Sequence, residues 1–522
     1  MLDLAPDPVA LYGEALRLVE QGRDPEASAK LDAAITARPD FGEAFALGAF
    51  LLERGGKRDI ALRFYQRALA LKPDQPVAWF NLAKLLLRDG HFPNALHALN
   101  EGFARAPGDP DALNTLSAVL RSLWCLEDSI EAARAALKTR PHFPEAALNL
   151  GAALLKAARP AAALEAFALA VSQRRDYSDA ICGEGLSLRA LGRLEEARAA
   201  FDRAVALGCR EAVSGRGCLD LMRGDFESGW EGYEARWIDG KSINEALGVR
   251  YPLWQGPTAS SQRVLVINDH GLGDTIQFAR YLPLMAQAGA EPHLLAPARM
   301  HRLLGSLVGG RIHEKLPTDV AFDAQIAISS LPRAFGTRLD SIPAQVPYLY
   351  PERWRLPRWA KRIGAQGFRI GCVWQGNANP EADIARSFPL AALAPLASVD
   401  GVRLISLQKG LGEEQLSGAG VRIERLHPDY DVGASAFLDA AAVMKCVDLV
   451  ITCDTSMAHL AGALGLPVWV ALKQDAEWRW MRGRDDSPWY PTMRLFRQST
   501  PGDWAGVFAA MAGALRALQI SA

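Results

Sequence analysis

The stretch 448-DLVITCDTSMAHLAGALGLPVWVAL-472 decides how the C-terminal half of the chain is read. Two apolar runs, 448–453 and 467–472, flank the polar quartet Cys453-Asp454-Thr455-Ser456 and a short helical stretch carrying His459. Apolar runs of this length joined through a turn and a helix make a strand–helix–strand unit of a parallel sheet. Ligands of such sheets bind beyond the carboxyl ends of the strands, where the quartet falls. Ser456 is placed to cap the helix, and His459, three residues on, lies near the same helix end. Hydroxyls, free N–H groups and the helix dipole together suit a phosphate or diphosphate. A hydrogen-bonded core histidine is the plainer reading of His459, and both readings stand at this point. Gly462 and Gly465 allow close helix–strand packing.

Working toward the N-terminus, the same alternation persists. Apolar runs occur at 263–269, 293–297, 324–329, 368–374, 402–408 and 421–426, most of them separated by helical patterns. This predicts parallel sheets covered on both faces. The proline- and charge-rich segment 350–367 interrupts the pattern and marks a boundary between two α/β lobes, 262–355 and 356–522.

Two other strand ends carry chemistry. After 263–267 comes Asn268-Asp269-His270-Gly271-Leu272-Gly273-Asp274-Thr275. Gly271 and Gly273 permit a tight turn and close approach of a ligand. The loop is not a dinucleotide fingerprint, lacking a third glycine, nor a Walker loop, lacking Gly-Lys-Ser/Thr. Asp274 reads either as a helix N-cap or as a general base, a carboxylate within reach of an acceptor hydroxyl. The second end is Trp374-Gln375-Gly376-Asn377, followed by Asp383, Arg386 and Ser387. An arginine just before a helix is a reasonable phosphate ligand, and also an ordinary surface charge. Gln408 ends a further strand within reach of a nucleotide. The indoles of Trp478, Trp480 and Trp489 suit either stacking on a base or packing between lobes.

The N-terminal half has a different period. Pro39, Pro73, Pro107 and Pro141 are 34 residues apart. At the same step run Ala27, Ala61, Ala95, Ser129, Ala163 and Ala197, then Ala34, Ala68, Gly102, Ala136, Ala170 and Ala204, and a third column, Ala15, Ala49, Ala83, Ser117, Gly151 and Gly185. Small residues in register let helices cross closely, and each proline ends a helix pair. A 34-residue helix–turn–helix unit of this kind resembles the tetratricopeptide repeat (TPR). Six repeats are expected over 8–211 (the domain 1–211), followed by a degenerate seventh at 221–237 in a linker region, 212–261. Its aromatic face could cap the stack. Such a solenoid offers a concave groove for a peptide or protein. Asn81 and Asn149 share a repeat position, as contacts for a bound backbone or as locally satisfied amides.

Composition excludes several classes. With 58 Lys+Arg against 59 Asp+Glu, the chain lacks the basic excess of a nucleic-acid binder. No apolar run approaches the ~20 residues of a membrane helix, and the start of the sequence lacks the pattern of a signal peptide. Seven cysteines without a C-x-x-C pair read as reduced thiols, which fits a cytoplasmic setting. No metal-ligand set stands out.

The residues D-T-S-M-A-H-L-A-G-A-L-G-L-P-V-W, E-W-R-W-M, S-P-W-Y-P-T-M-R-L-F-R-Q and G-L-G-D-T-I-Q-F-A-R-Y-L-P-L resemble the bacterial TPR glycosyltransferases. The catalytic part of that family is related to heptosyltransferases and, more distantly, to O-linked N-acetylglucosamine transferases. The resemblance implies a GT-B fold, two Rossmann-like lobes with a cleft between them, following the α-helical solenoid. It implies an inverting enzyme with no cofactor or obligatory metal, using a nucleotide-sugar donor held mainly by the C-terminal lobe. On the matching motifs Asp274 is the general base. Gly271, Gly273, Trp374, Gly376, Asn377, Arg386, Gln408, Asp454, Thr455, Ser456 and His459 would bind the donor, with Arg386 on its phosphate. The acceptor implied is a protein in the TPR groove; relatives of this architecture modify flagellin in the cytoplasm, using a nonulosonic acid donor. A TPR scaffold with inactive lobes, and a lipopolysaccharide or polysaccharide transferase, are the alternatives. The chain differs from many relatives at Asp269-His270, where they have Glu-Gln, and at Asn379-Pro380-Glu381, where they carry a histidine.

Overall fold

A computed structural model describes residues 7–237, 251–307, 309–376, 383–418, 420–433 and 437–521. Asn377 and the 379–381 turn lie outside the described residues. The chain divides into two compact units, Met1–Glu184 and Gly185–Ala522.

The first unit is built of antiparallel helix pairs: α1 (Pro8–Glu20) with α2 (Asp24–Ala37), α3 (Gly42–Arg54) with α4 (Arg58–Leu71), α5 (Pro76–Arg88) with α6 (Phe92–Phe103), α7 (Pro110–Ser122) with α8 (Leu126–Thr139), and α9 (Pro144–Lys156) with α10 (Pro160–Gln173). Helix α11 (Ser178–Ala190) begins in this unit and ends in the second. Pro39, Pro73 and Pro141 each follow the last residue of a helix by two positions, where a missing N–H stops the ladder. The three small-residue columns are buried throughout. Where the alanine column is broken by Ser129, the facing position is Ser117. Their hydroxyls lie 3.1 Å apart and Ser129 Oγ donates to the Ser117 carbonyl at 2.7 Å, so neither buried hydroxyl is orphaned. Gly151 faces Phe167, whose ring would stand 2.7 Å from an added Cβ; glycine here makes room for the larger ring.

A further 34-residue column governs the turns. Gly22, Gly56, Gly90, Trp124, Ala158 and Gly192 all have positive φ. In each case the next residue's N–H returns to the helix, as Arg23 to Leu18 and Arg159 to Leu154, both 2.9 Å. This is the left-handed helix terminus that glycine supplies without strain. Trp124 (φ 63°) and Ala158 (φ 56°) adopt it with a Cβ, at a cost of about 1–2 kcal/mol each.

The second unit continues with α12 (Leu194–Ala206) and a seventh pair, α13 (Arg210–Arg223) and α14 (Phe226–Tyr233). That pair starts ahead of 221 and is very close: a Cβ on Gly217 would lie 2.5 Å from the Gly232 carbonyl carbon. Its aromatic face is committed to the α/β part. Phe226, Trp230 and Tyr233 are buried in one hydrophobic cluster with residues of both α/β lobes, and Trp230 Nε1 donates to the Thr337 carbonyl at 2.8 Å.

Two all-parallel sheets follow. The first contains β1 (Arg263–Ile267), β2 (Glu291–Leu295), β3 (Arg311–His313) and β4 (Ala324–Ala327) in the order β3-β2-β1-β4. The second contains β5 (Phe368–Val373), β6 (Val402–Ser406), β7 (Leu449–Cys453), β8 (Val468–Leu472) and β9 (Met493–Arg497) in the order β6-β5-β7-β8-β9. The chain reverses its direction of travel across the first sheet at β1/β4 and across the second at β5/β7. Loops diverge at such reversals and leave a crevice. The 421–426 run is not a strand; it makes only an isolated bridge between Ile405 and Glu424, with Val421 and Ile423 half-buried against the core of the second sheet. Strands β3 and β9 have no counterpart among the apolar runs of the sequence.

All seven cysteines are free thiols. Among the described residues no helix is long and apolar enough to cross a membrane.

Candidate functional site

The loops after β1 and β7, at the two reversals, come together. Helix Leu272–Phe278 begins with Gly271 as its N-cap, and helix Ser456–Ala463 with Thr455. The expected cap, Ser456, is instead the first helical residue; the Thr455 hydroxyl accepts from Met457 N at 3.3 Å. The two helix starts touch at Gly273. A Cβ there would stand 2.8 Å from His459 Cδ2 and 3.4 Å from Ser456 Cα, so only glycine permits this approach. Gly271, Gly273, Asp274, Ser456 and His459 thus share one corner.

Of the two roles proposed for Asp274, its contacts show the capping one. Its Oδ2 accepts from Gly271 N at 3.1 Å, a capping contact. Its Oδ1 accepts from Arg479 Nη2 at 2.7 Å, 205 residues away in sequence. Arg479 also donates to Gln277 Oε1 at 2.6 Å and pairs with Glu477 at 2.9 Å. Glu477 in turn pairs with Arg386. A chain of alternating charges, Arg386–Glu477–Arg479–Asp274, therefore links the loop after β5 to the loop after β1. Burial alone would push the Asp274 carboxyl up, but the Arg479 guanidinium, with His270, holds it down at about 2.

His459 is buried and 4% exposed. Its Nδ1 lies 2.9 Å from Tyr490 Oη and its ring stacks on Trp480, 5.4 Å between centroids. Burial, and then Arg479, push its pKa down to about 3 against the pull of Asp454 and Asp274. The ring is neutral, and it is both a satisfied core residue and a wall of the corner.

The loop after β5 is drawn to the same place. A Cβ on Gly376 would meet Asp383 Oδ1 at 2.9 Å and Thr455 Cγ2 at 3.4 Å. Gly376 N donates to Ser387 Oγ at 2.9 Å, and Ser387 Oγ donates to Asp383. Asp454, which follows β7, is buried, and among the described residues its Oδ2 has no hydrogen-bond partner. Two candidates are committed elsewhere. Trp374 is fully buried, its Nε1 donating to Gly412 O at 3.1 Å. Gln408 accepts from Trp374 N and Gln375 N and donates to Gln375 O and Leu411 O, at 2.7–3.1 Å, so it holds the strand-end loop from beneath. The indoles of Trp478, Trp480 and Trp489 are buried as well and pack the lobes rather than offering a stacking face.

No pattern in the sequence assigns a role to Arg479, Glu477 or Tyr490. An arginine between two tryptophans is a visible signal, but nothing in the spacing says which distant carboxylate it meets. A similar junction ties the loops after β1 and β4: Asp269 accepts from Ser329 N at 3.2 Å, and His270 Nε2 lies 3.0 Å from Tyr233 Oη of α14.

In the first unit, a pocket of about 500 Å³ opens beside α5, α7 and α9, lined by Lys84, Arg88, Asn114, Arg140 and His142 among others. Asn149 donates to Asn114 Oδ1 at 2.8 Å, a locally satisfied amide.

Tetratricopeptide-repeat family models match residues 55–120, 126–180 and 182–237. Protein FlbA of Caulobacter vibrioides is 27% identical over 328 residues, covering 58% of this chain and 54% of that protein; the chain spans about half the length of this relative. Similar solved structures include a tetratricopeptide repeat protein from Parabacteroides merdae (17% identity, TM-score 0.39, 46% of this chain and 95% of that one). MamA from Desulfovibrio magneticus is another (23% identity, TM-score 0.31, 33% of this chain and 98% of that one). The chain contains tetratricopeptide repeats, and its C-terminal part is α/β, with two parallel sheets.

Proposed function

We propose that the chain is an inverting glycosyltransferase of the GT-B kind, moving a sugar from a nucleotide-sugar donor to a Ser or Thr hydroxyl of a protein, with flagellin the leading candidate. One observation carries the reading: the loops after β1 and β7, each at a sheet reversal, meet with Gly273 against His459 and Ser456. On this reading the donor phosphate rests on Arg386, Thr455, Ser456 and the free N–H groups of the helix that begins there. The acceptor oxygen bonds to the anomeric carbon as the carbon–oxygen bond to phosphate breaks. The proton passes to Asp274, and the nucleotide leaves with the electron pair, its charge met by fixed N–H dipoles and Arg386. Asp383, Ser387 and Gln408 hold the loop after β5 in shape, and closure of the lobes aligns donor and acceptor. The TPR unit presents the acceptor, and the reaction belongs in the cytoplasm.

The test is Asp274→Asn, read by the intact mass of filament protein from cells carrying it. Loss of a general base costs about 10²–10⁴-fold in rate, so the mass increment should vanish while the variant stays folded. Normal modification by an equally abundant variant would refute the assignment. One observation favours a second reading, a TPR scaffold with silent lobes: both Asp274 oxygens are engaged, and a carboxylate held at about 2 is a weak base. On that reading the wild-type chain transfers no sugar at all.

A further inference from the structure

We propose that the Glu477 carboxylate sits where a donor phosphate goes, and that Arg386 and Arg479 form an anion site which a phosphate enters by displacing it. Identifying the phosphate as a sugar donor's rests on the transferase reading; the anion site itself does not.

Glu477 bridges two guanidinium groups, one oxygen on Arg386 and the other on Arg479. Two oxygens of one anion, each held by a separate arginine, is how a phosphate is gripped. The cations differ in freedom. Arg479 is 5% exposed. It is fixed by Gln277 and Asp274, with its guanidinium carbon 5.2 Å from the Trp478 ring. Its Nε is buried and, among the described residues, has no hydrogen-bond partner. Glu477 is the loose member, its side chain 31% exposed, and so is the group that can swing out. A third cation stands by: Lys473 Nζ donates to the Ile384 carbonyl, two residues before Arg386. A carboxylate bearing a single charge therefore holds cations that a diphosphate, with more charge and more oxygens, can also bridge.

The exchange has a consequence for Asp274. The same Arg479 nitrogen that pairs with Glu477 also donates to Asp274. A phosphate drawing that nitrogen away leaves the Asp274 carboxylate less strongly held. The base then becomes competent only when donor is present.

Calorimetric titration of the full chain with inorganic pyrophosphate tests the site. Glu477→Gln keeps the size of the side chain and removes the competing charge; it should bind pyrophosphate about tenfold more tightly than wild type, a difference of about 1.4 kcal/mol. Arg386→Gln in the Glu477→Gln background should abolish the gain. Equal or weaker binding by a folded Glu477→Gln protein overturns the proposal, as does a gain that survives Arg386→Gln. Should Glu477→Gln not fold, Arg386→Gln alone decides: tenfold weaker binding supports the site, and unchanged binding overturns it. Tightening without any sugar transfer would leave the anion site standing and remove the transferase reading. Transfer without tightening would do the reverse.

Discussion

His459 gives the corner a signature in acid. In the folded chain its ring stays neutral down to about 3, because burial and Arg479 oppose a second positive charge. In the unfolded chain it titrates near its ordinary value, about 6.5. Above that pH both states are neutral and the residue adds no pH dependence. Below it the unfolded chain binds a proton that the folded chain refuses, so stability falls as the pH drops, until the folded value is reached. Each pH unit is worth about 1.36 kcal/mol, so two units, from 6.5 to 4.5, remove about 2.7 kcal/mol. His459→Gln preserves a polar partner for Tyr490 Oη and cannot titrate. Urea unfolding of both proteins, followed by tryptophan fluorescence at pH 7.0, 5.5 and 4.5, isolates the term, since other titrating groups cancel in the difference. The variant starts less stable, having lost the stack on Trp480. The gap should then close by about 2.7 kcal/mol toward pH 4.5. Parallel curves would mean that His459 takes up a proton in the folded state as readily as in the unfolded one, and its burial as a neutral ring would be refuted.

In the repeat unit, Ala158→Gly should stabilise by about 0.5–1 kcal/mol: relief of the left-handed conformation exceeds the added chain entropy. A lowered melting temperature would contradict the turn assignment. Gln408→Ala should destabilise the second unit by about 2–4 kcal/mol, because it strands two backbone N–H groups and two carbonyls beneath the loop after β5. A loss under 1 kcal/mol in denaturant unfolding would show that the loop does not depend on it.

Much of this architecture is legible along the chain because it is periodic or local. The 34-residue columns of small residues fix how closely α1 to α12 cross, and the serine pair 117/129 and the Phe167–Gly151 exchange are volume and polarity corrections within that pattern. Strands β1, β2, β4, β5, β6, β7 and β8 were legible as apolar runs ending in polar turns. Strand β3 is three residues long and β9 alternates with charge, so neither carries an unbroken apolar run. At 421–426 the alternation packs Val421 and Ile423 on the core but pairs with β6 at a single bridge.

The sequence by itself determined the repeats, the parallel α/β half and which strand ends carry glycine, hydroxyl and carboxylate. Those properties follow from side-chain size and period, which are written locally. Only the tertiary structure decided which residues meet. Arg479 reaches Asp274 across 205 residues, Thr455 rather than Ser456 caps its helix, and Trp374 and Gln408 support the loop from beneath. Burial and charge pairing depend on the sum of distant neighbours, and no local pattern encodes that sum.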